Sequence, residues 1–263
     1  MSKPSIIVLL FATAALSCAT SPTGKTQLQL VSDTQMAKMG TEAYAQLKEE
    51  TPVTKDAKVT AYVNCVAAAI TAEVDGETTW EVNVFDDDKQ VNAFALPGGK
   101  IGVYTGLLEV AENQHQLASV VGHEVGHVLA RHGNARYSAG LASQVGMIAA
   151  AVALGQSNSD NAGLTLAALG IGLQVGILMP YGRAHESEAD EIGQDLMAKA
   201  GFDPRGSVEL WKNMSEEGGS QPPEFLSTHP SHGRRIKDLN KGMNKALRTF
   251  EQARAQGRNP RCG

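Results

Sequence analysis

The chain has 263 residues, 42% of them hydrophobic and 19% charged, with a formal charge of -5 at neutral pH. That length supports one sizeable core or two small ones, and excludes a disulfide-stapled miniature or a wholly disordered chain. The acidic balance and 5% aromatic content argue against a nucleic-acid partner, and three cysteines cannot build an all-thiolate metal site, so any metal must be held by His and carboxylates.

Residues 1–17 read as a secretory signal: Lys3 supplies a positive head, residues 6–16 form an apolar run too short to span a bilayer, and small residues lead into Ser17 and Cys18. Ala14-Ala15-Leu16-Ser17-Cys18 resembles a bacterial lipoprotein signal, in which the cysteine thiol is acylated and becomes the new N-terminus. Ala19 is similar to the residue that follows in lipoproteins sorted to the outer membrane. The expectation is a periplasmic protein anchored to the outer membrane through Cys18, several acyl chains giving the attachment that one alone does not. Plain secretion, with Cys18 lost in the signal, is the alternative. Residues 18–32 then read as a polar, lipidated tether. In an oxidising compartment Cys65 and Cys262 are expected to pair and tie the tail to the body.

Beyond the tether, residues 33–50 and 57–72 read as helices, and residues 79–85 alternate like a half-buried strand. Asp86-Asp87-Asp88 reads as a solvated turn. Residues 91–96 form another short strand, stopped by Pro97-Gly98-Gly99, with residues 101–104 as its antiparallel neighbour. After Ala111 the signals are mostly helical. Gly24-Lys25-Thr26 lacks the earlier glycine that a phosphate-binding loop needs.

The chemistry concentrates in His123-Glu124-Val125-Gly126-His127. On a helix, residues four apart point the same way, so both imidazoles can share one metal ion, and the spacing is that of a zinc site. Leu117, Val121 and Val128 share a stripe with Glu124, where an ionised carboxylate is costly unless it has a partner. Beside a metal ion it can take the proton of a water whose pKa the metal lowers to about 7. Gly122 and Gly126, on the far side, allow another element to pack close.

A third ligand is offered by the acidic cluster His185-Glu186-Ser187-Glu188-Ala189-Asp190-Glu191. If a helix starts there, Ala189, Ile192, Leu196, Met197 and Ala200 form its apolar arc, with Glu186 and Asp190 at one edge and Glu188, Glu191 and Asp195 facing water. One of the inward pair can bind the metal while the other orients a ligand imidazole.

At these residues the sequence resembles the Ste24-like M48 zinc metallopeptidases, in particular their bacterial periplasmic branch. The matching stretches are Asn92-Ala93-Phe94-Ala95-Leu96-Pro97-Gly98-Gly99, His123 to His127, Glu186 to Asp190, and Ser227-Thr228-His229-Pro230 with Arg235 following. The resemblance implies an α+β, mainly helical zincin-type metallopeptidase domain with a small antiparallel sheet, spanning residues 33–250, with residues 251–263 as a tail. It implies one zinc ion per chain on His123, His127 and Glu186, with Asp190 behind a ligand and Glu124 as catalytic base. The sheet's edge strand would align extended, unfolded polypeptide through Asn92, Ala93, Phe94 and Ala95; an ordinary core strand is the alternative. His229 would either assist the transition state or reach the metal and hold the enzyme inactive, and Arg235 would steady the same loop or contact substrate. His115, His132 and His232 are left as surface or capping residues.

Residues 137–182 contain two apolar stretches, 141–154 and 164–179, with Asp160 between them. Each is short for a span, so a helical hairpin packing on the domain or resting on the membrane surface is expected. Residues 236–250 read as an amphipathic helix. The implied role is quality control of misfolded envelope proteins. A chaperone or assembly factor for outer-membrane proteins, working beside their assembly machinery with a locked or structural zinc site, is the competing reading.

Overall fold

Three helices begin where polar side chains satisfy the orphaned N–H groups of the first turn. In the computed structural model, which describes residues 18–153, 182–217, 224–229 and 232–263, Ser32 accepts from Gln35 ahead of α1 (Asp33–Glu50). Asp56 accepts from Lys58 and Val59 ahead of α2 (Ala57–Thr71), and Asn113 from His115 and Gln116 ahead of α4 (Gln114–Leu129). Between them lie β3 (Glu81–Phe85), β4 (Ala93–Leu96), β5 (Lys100–Tyr104) and the short α3 (Thr105–Val110). After α4 come α5 (His132–Ala153), α6 (Arg183–Lys199), α7 (Arg205–Glu217), α8 (Glu224–Thr228) and α9 (His232–Ala255).

The sheet is mixed, in the order β3-β5-β4. β4 returns antiparallel along β5 with Ala93 opposite Val103, through a turn in which Gly98 and Gly99 both take positive φ, 88° and 73°. β3 pairs with the other side of β5, and there the strands run parallel, because the chain reaches the outer strand before it returns to the middle one. Among the described residues β4 is left as an edge, lying against α4.

Leu117 and Val121 of α4 and Met197 of α6, on the expected stripes, meet Val63 and Ile70 of α2, Val84 and Ile101 of the sheet and Trp211 of α7 in one core, and all are buried. A second cluster, Tyr44, Phe85 and Tyr104 with Phe94, seats α1 on the sheet, and the Tyr44 hydroxyl donates to the Ile101 carbonyl at 2.7 Å. The tail runs back across the body. Gln114 donates to the Pro260 carbonyl at 3.0 Å and accepts from the Cys262 N–H at 2.8 Å, and Cys65 and Cys262 form the expected disulfide across 197 residues.

The polar stretch after Cys18 is not a free tether. It forms a hairpin, β1 (Cys18–Thr20) and β2 (Thr26–Leu28), that is built into the body. Gln27 donates to the Ala130 carbonyl at 2.8 Å, Ser138 accepts from the Leu30 N–H at 2.8 Å, and Asn134 donates to the Val31 carbonyl at 2.6 Å. Polarity here supplies hydrogen-bonding groups to a docking surface. The first apolar stretch of 137–182 continues α5; the second, and the signal at 1–17, lie outside the described residues. Among the described residues, no helix is long and apolar enough to cross a membrane.

Candidate metal centre

The centre is made by two helices that approach backbone to backbone. A Cβ added at Gly122 would lie 2.8 Å from the Gly193 carbonyl oxygen, one at Gly126 would lie 2.9 Å from that of Ala189, and one at Gly193 would lie 2.6 Å from the His123 nitrogen. Only hydrogen fits at these three positions, so α4 and α6 come close enough for the side chains beside the contact to converge. The glycines on the far side of the His-Glu-x-x-His helix thus have the role the sequence suggested.

At the convergence, His123, His127, Glu186 and His229, all buried, each offer one ligand atom, and these atoms lie within 4.8 Å of one another. The Nε2 atoms of His123 and His127 are 3.0 Å apart. The Glu186 carboxylate lies 3.4 Å from His127 Nε2 and 3.6 Å from His123 Nε2. His229 Nδ1 is 3.1 Å from Glu186 Oε1 and 3.3 Å from His123 Nε2, its ring stacked on Phe225. Three imidazole nitrogens and a carboxylate are a donor set that suits zinc. Burial pushes the His127 imidazole well below its ordinary pKa, leaving it neutral, as a ligand must be. Burial alone would raise Glu186, but hydrogen bonds from His127 and His229 outweigh it and keep the carboxyl well below the usual range.

Glu124 is 3% exposed, and among the described residues its Oε1 has no hydrogen-bond partner; His229 Nε2 stands 3.5 Å away. Burial raises its pKa, the opposite of Glu186. One carboxylate is held ionised and another is made more basic within the same centre, a separation that suits a ligand and a proton acceptor.

Behind the ligands, Asp190 Oδ1 accepts from His123 Nδ1 at 2.9 Å, which fixes that ring. Arg235, taken from the sequence as a substrate contact or loop support, is placed differently. It is 2% exposed, donates to Glu186 Oε2 at 2.7 Å and Asp190 Oδ2 at 2.8 Å, and lies over the Trp211 ring at 3.9 Å. Two buried carboxylates need a cation, and the guanidinium is consumed in supplying it. Burial by itself would raise Asp190, but the Arg235 charge and the contacts with His123 together outweigh it and hold the carboxyl below the usual carboxylate range.

Two further expectations are corrected. Glu188, assigned to the water-facing side of α6, has a side chain with no exposure, and His132, left as a surface residue, is likewise fully buried. The hairpin and the start of α5 cover the side of α6 that periodicity assigned to solvent. His115 is half-buried and accepts from the Asp203 N–H at 3.1 Å, in keeping with a capping role; the side chain of His232 lies outside what is described. On β4, Ala93 and Ala95 point inward and Phe94 joins the aromatic cluster, while the Asn92 carbonyl accepts from the Tyr104 N–H at 3.1 Å. An apolar pocket of about 370 Å³ opens between the C-terminal end of β4, α1 and the end of α4, with His127 in its wall. No signal in the sequence marked His132 or Arg235 for the places they occupy.

The family model described as peptidase family M48 matches residues 54–242. The mitochondrial metalloendopeptidase OMA1 of Arabidopsis thaliana is 37% identical over 191 residues, covering 72% of this chain and 37% of that one. Its counterpart in Homo sapiens is 34% identical over 241 residues, 87% of this chain and 44% of its own. The β-barrel assembly-enhancing protease of Yersinia pestis is 30% identical over 227 residues, 81% and 44% respectively. The chain thus spans half or less of the length of these relatives.

Proposed function

The chain belongs to peptidase family M48, and from that premise we propose that it is a zinc-dependent endopeptidase cleaving unfolded or misfolded proteins in the periplasm. The observation that carries this reading is the pairing of a compact His-His-Glu donor set with a buried Glu124 oxygen that has no hydrogen-bond partner among the described residues. A purely structural zinc site has no use for that carboxylate.

In this reading His123, His127 and Glu186 hold the ion, and Asp190 and Arg235 fix His123 and Glu186 from behind. Zinc bound there supplies Lewis acidity to the scissile carbonyl and acidifies water. Glu124, made more basic by burial, takes the proton from the attacking water and returns it to the leaving amine. β4, an edge strand among the described residues, with Asn92 just ahead of it, aligns an extended peptide along Asn92 to Ala95 through main-chain hydrogen bonds that are indifferent to sequence. His229 occupies the fourth position around the donor set and must withdraw for substrate to enter, so of its two candidate roles we assign it the self-inhibitory one.

Residues 1–17 act as the signal and Cys18, exposed at the first residue of β1, as the lipidated anchor to the outer membrane. The relative named for enhancing β-barrel assembly supports envelope quality control as the setting. The placement of His229 against the donor set also favours a second reading, a client-holding assembly factor whose site is kept closed.

The test is cleavage of an unfolded protein by the zinc-loaded chain, its Glu124→Gln form and its His229→Ala form, with metal content measured in each. The peptidase reading expects Glu124→Gln to keep its zinc and lose about 10²- to 10⁴-fold in rate, and His229→Ala to cleave faster than the parent. Zinc in all three and cleavage by none would leave the client-holding reading in possession.

A further inference from the structure

Each presumed ligand on α4 has a partner behind it, and the two partners differ in kind. His123 meets a carboxylate, Asp190, directly. His127 does not: its Nδ1 lies 2.9 Å from Nδ1 of His132, the fully buried residue that follows the end of α4. His132 Nε2 lies 3.3 Å from Glu188 Oε2, and its ring stacks on His185 with centroids 4.2 Å apart. Glu188 in turn accepts from the Ser21 and Thr23 hydroxyls, and Lys25 Nζ stands 3.4 Å away. Ser21, Thr23 and Lys25 form the turn of the β1–β2 hairpin, whose first residue is Cys18.

We propose that His132 and Glu188 are positioning residues for the metal centre, and that the hairpin adjoining the candidate anchor completes their chain of hydrogen bonds. The inference rests on His127 being a metal ligand. An imidazole that ligates through Nε2 carries its proton on Nδ1, and that proton needs an acceptor to fix the ring and raise the ligand's basicity. His132 Nδ1 is that acceptor, which puts the single N–H of its ring on Nε2, facing Glu188 Oε2. Glu188 keeps Oε1 for the two hydroxyls of the hairpin turn. In this arrangement every donor in the series has an acceptor, so the orientation of His127 is supported from Ser21 and Thr23, in the hairpin that begins at Cys18. Arg131, the non-glycine residue with positive φ (55°) among the described residues, makes the turn that brings His132 back beneath His127.

The test is the zinc dissociation constant of the full chain, by chelator competition, for the parent, His132→Phe, Glu188→Gln and the double variant Ser21→Ala with Thr23→Ala. The cobalt(II) absorption spectrum and the urea midpoint of the metal-free form are recorded for each. His132→Phe keeps the ring stack on His185 and removes both nitrogens; zinc binding should weaken about 10- to 100-fold with an altered cobalt spectrum, and Glu188→Gln should fall in the same direction. In the double variant Thr23 is exposed and Ser21 is buried in the hairpin turn, so its urea midpoint is read beside its zinc affinity; binding should weaken several-fold with the midpoint kept. Zinc binding within about threefold of the parent in both His132→Phe and Glu188→Gln overturns the proposal. So does a loss that tracks a fall in urea midpoint while the cobalt spectrum stays unchanged, since the residues would then be structural only. A double variant identical to the parent overturns the part assigned to the hairpin. A parent chain that binds no zinc refutes the metal centre itself, a failure distinct from these.

Discussion

Replacing Arg235 by Met tests whether the guanidinium holds the centre together or serves the substrate. Met keeps most of the volume and the contact with Trp211 but removes the charge and the donors to Glu186 and Asp190. All three groups are nearly or fully inaccessible, at 2%, 1% and 6% exposure, so water does not take over the lost contacts. Removing one partner of such a buried group costs about 3–5 kcal/mol, because the charges left behind have no compensation. In a chain of this size that is a fall in Tm of about 6–20 °C. The sign with pH is also fixed for the metal-free chain. In the parent, Asp190 is depressed below its unfolded value, so it contributes stability above about pH 4, which is lost as pH falls through the folded pKa. Without Arg235 the largest effect opposing burial is gone and only His123 still lowers the carboxyl; its pKa is expected to pass the unfolded value, so that stability falls as pH rises above about pH 4. Urea unfolding with chelator present, at pH 5 and pH 7, should therefore find a larger deficit at pH 7. A deficit under 1 kcal/mol that does not change with pH, together with a raised KM for peptide, would refute the reasoning and return Arg235 to the substrate side.

Gly193→Ala should cost about 1–3 kcal/mol and weaken zinc binding in the same variant, because the added Cβ forces apart the helices that carry the two histidines and Glu186; parental stability and affinity together would contradict the backbone contact. Cys65→Ser should cost about 2–5 kcal/mol by urea unfolding under oxidising conditions, since the bond closes a loop of 197 residues, and the cost should vanish when both proteins are reduced. Removing zinc from a solution holding it at a thousand times its dissociation constant should lower stability by about 4 kcal/mol, measured by urea unfolding with and without chelator; no change would mean the donor set binds no ion.

Local pattern made most of the secondary structure legible. Apolar spacing placed α1, α2 and α4, whose capping residues the structure then showed, and alternation stopped by Pro97-Gly98-Gly99 placed β4 and β5. The same periodicity put Glu124 on the buried stripe of α4 and Glu186 and Asp190 on the inward edge of α6, where they are found. The failures have one cause. Glu188 fell on the face opposite the apolar arc, and the 18–32 stretch was too polar to belong to a core, so each was assigned to water; in the folded chain they meet and satisfy one another.

The sequence by itself determined which residues can do chemistry and on which helical face they stand, because a helix fixes the direction of its side chains from spacing alone. It also signalled close approach, in glycines at 122 and 126; that Gly193 meets them was decided by the packing. Only the tertiary structure decided what lies behind the ligands. Arg235 comes from α9, His132 from beyond a helix end and Ser21 from a hairpin at the start of the chain, and no local period relates them to the residues they touch. Burying polar groups obliges each to find a partner, but the obligation does not name the partner, and that choice is made by the packing of elements distant in sequence.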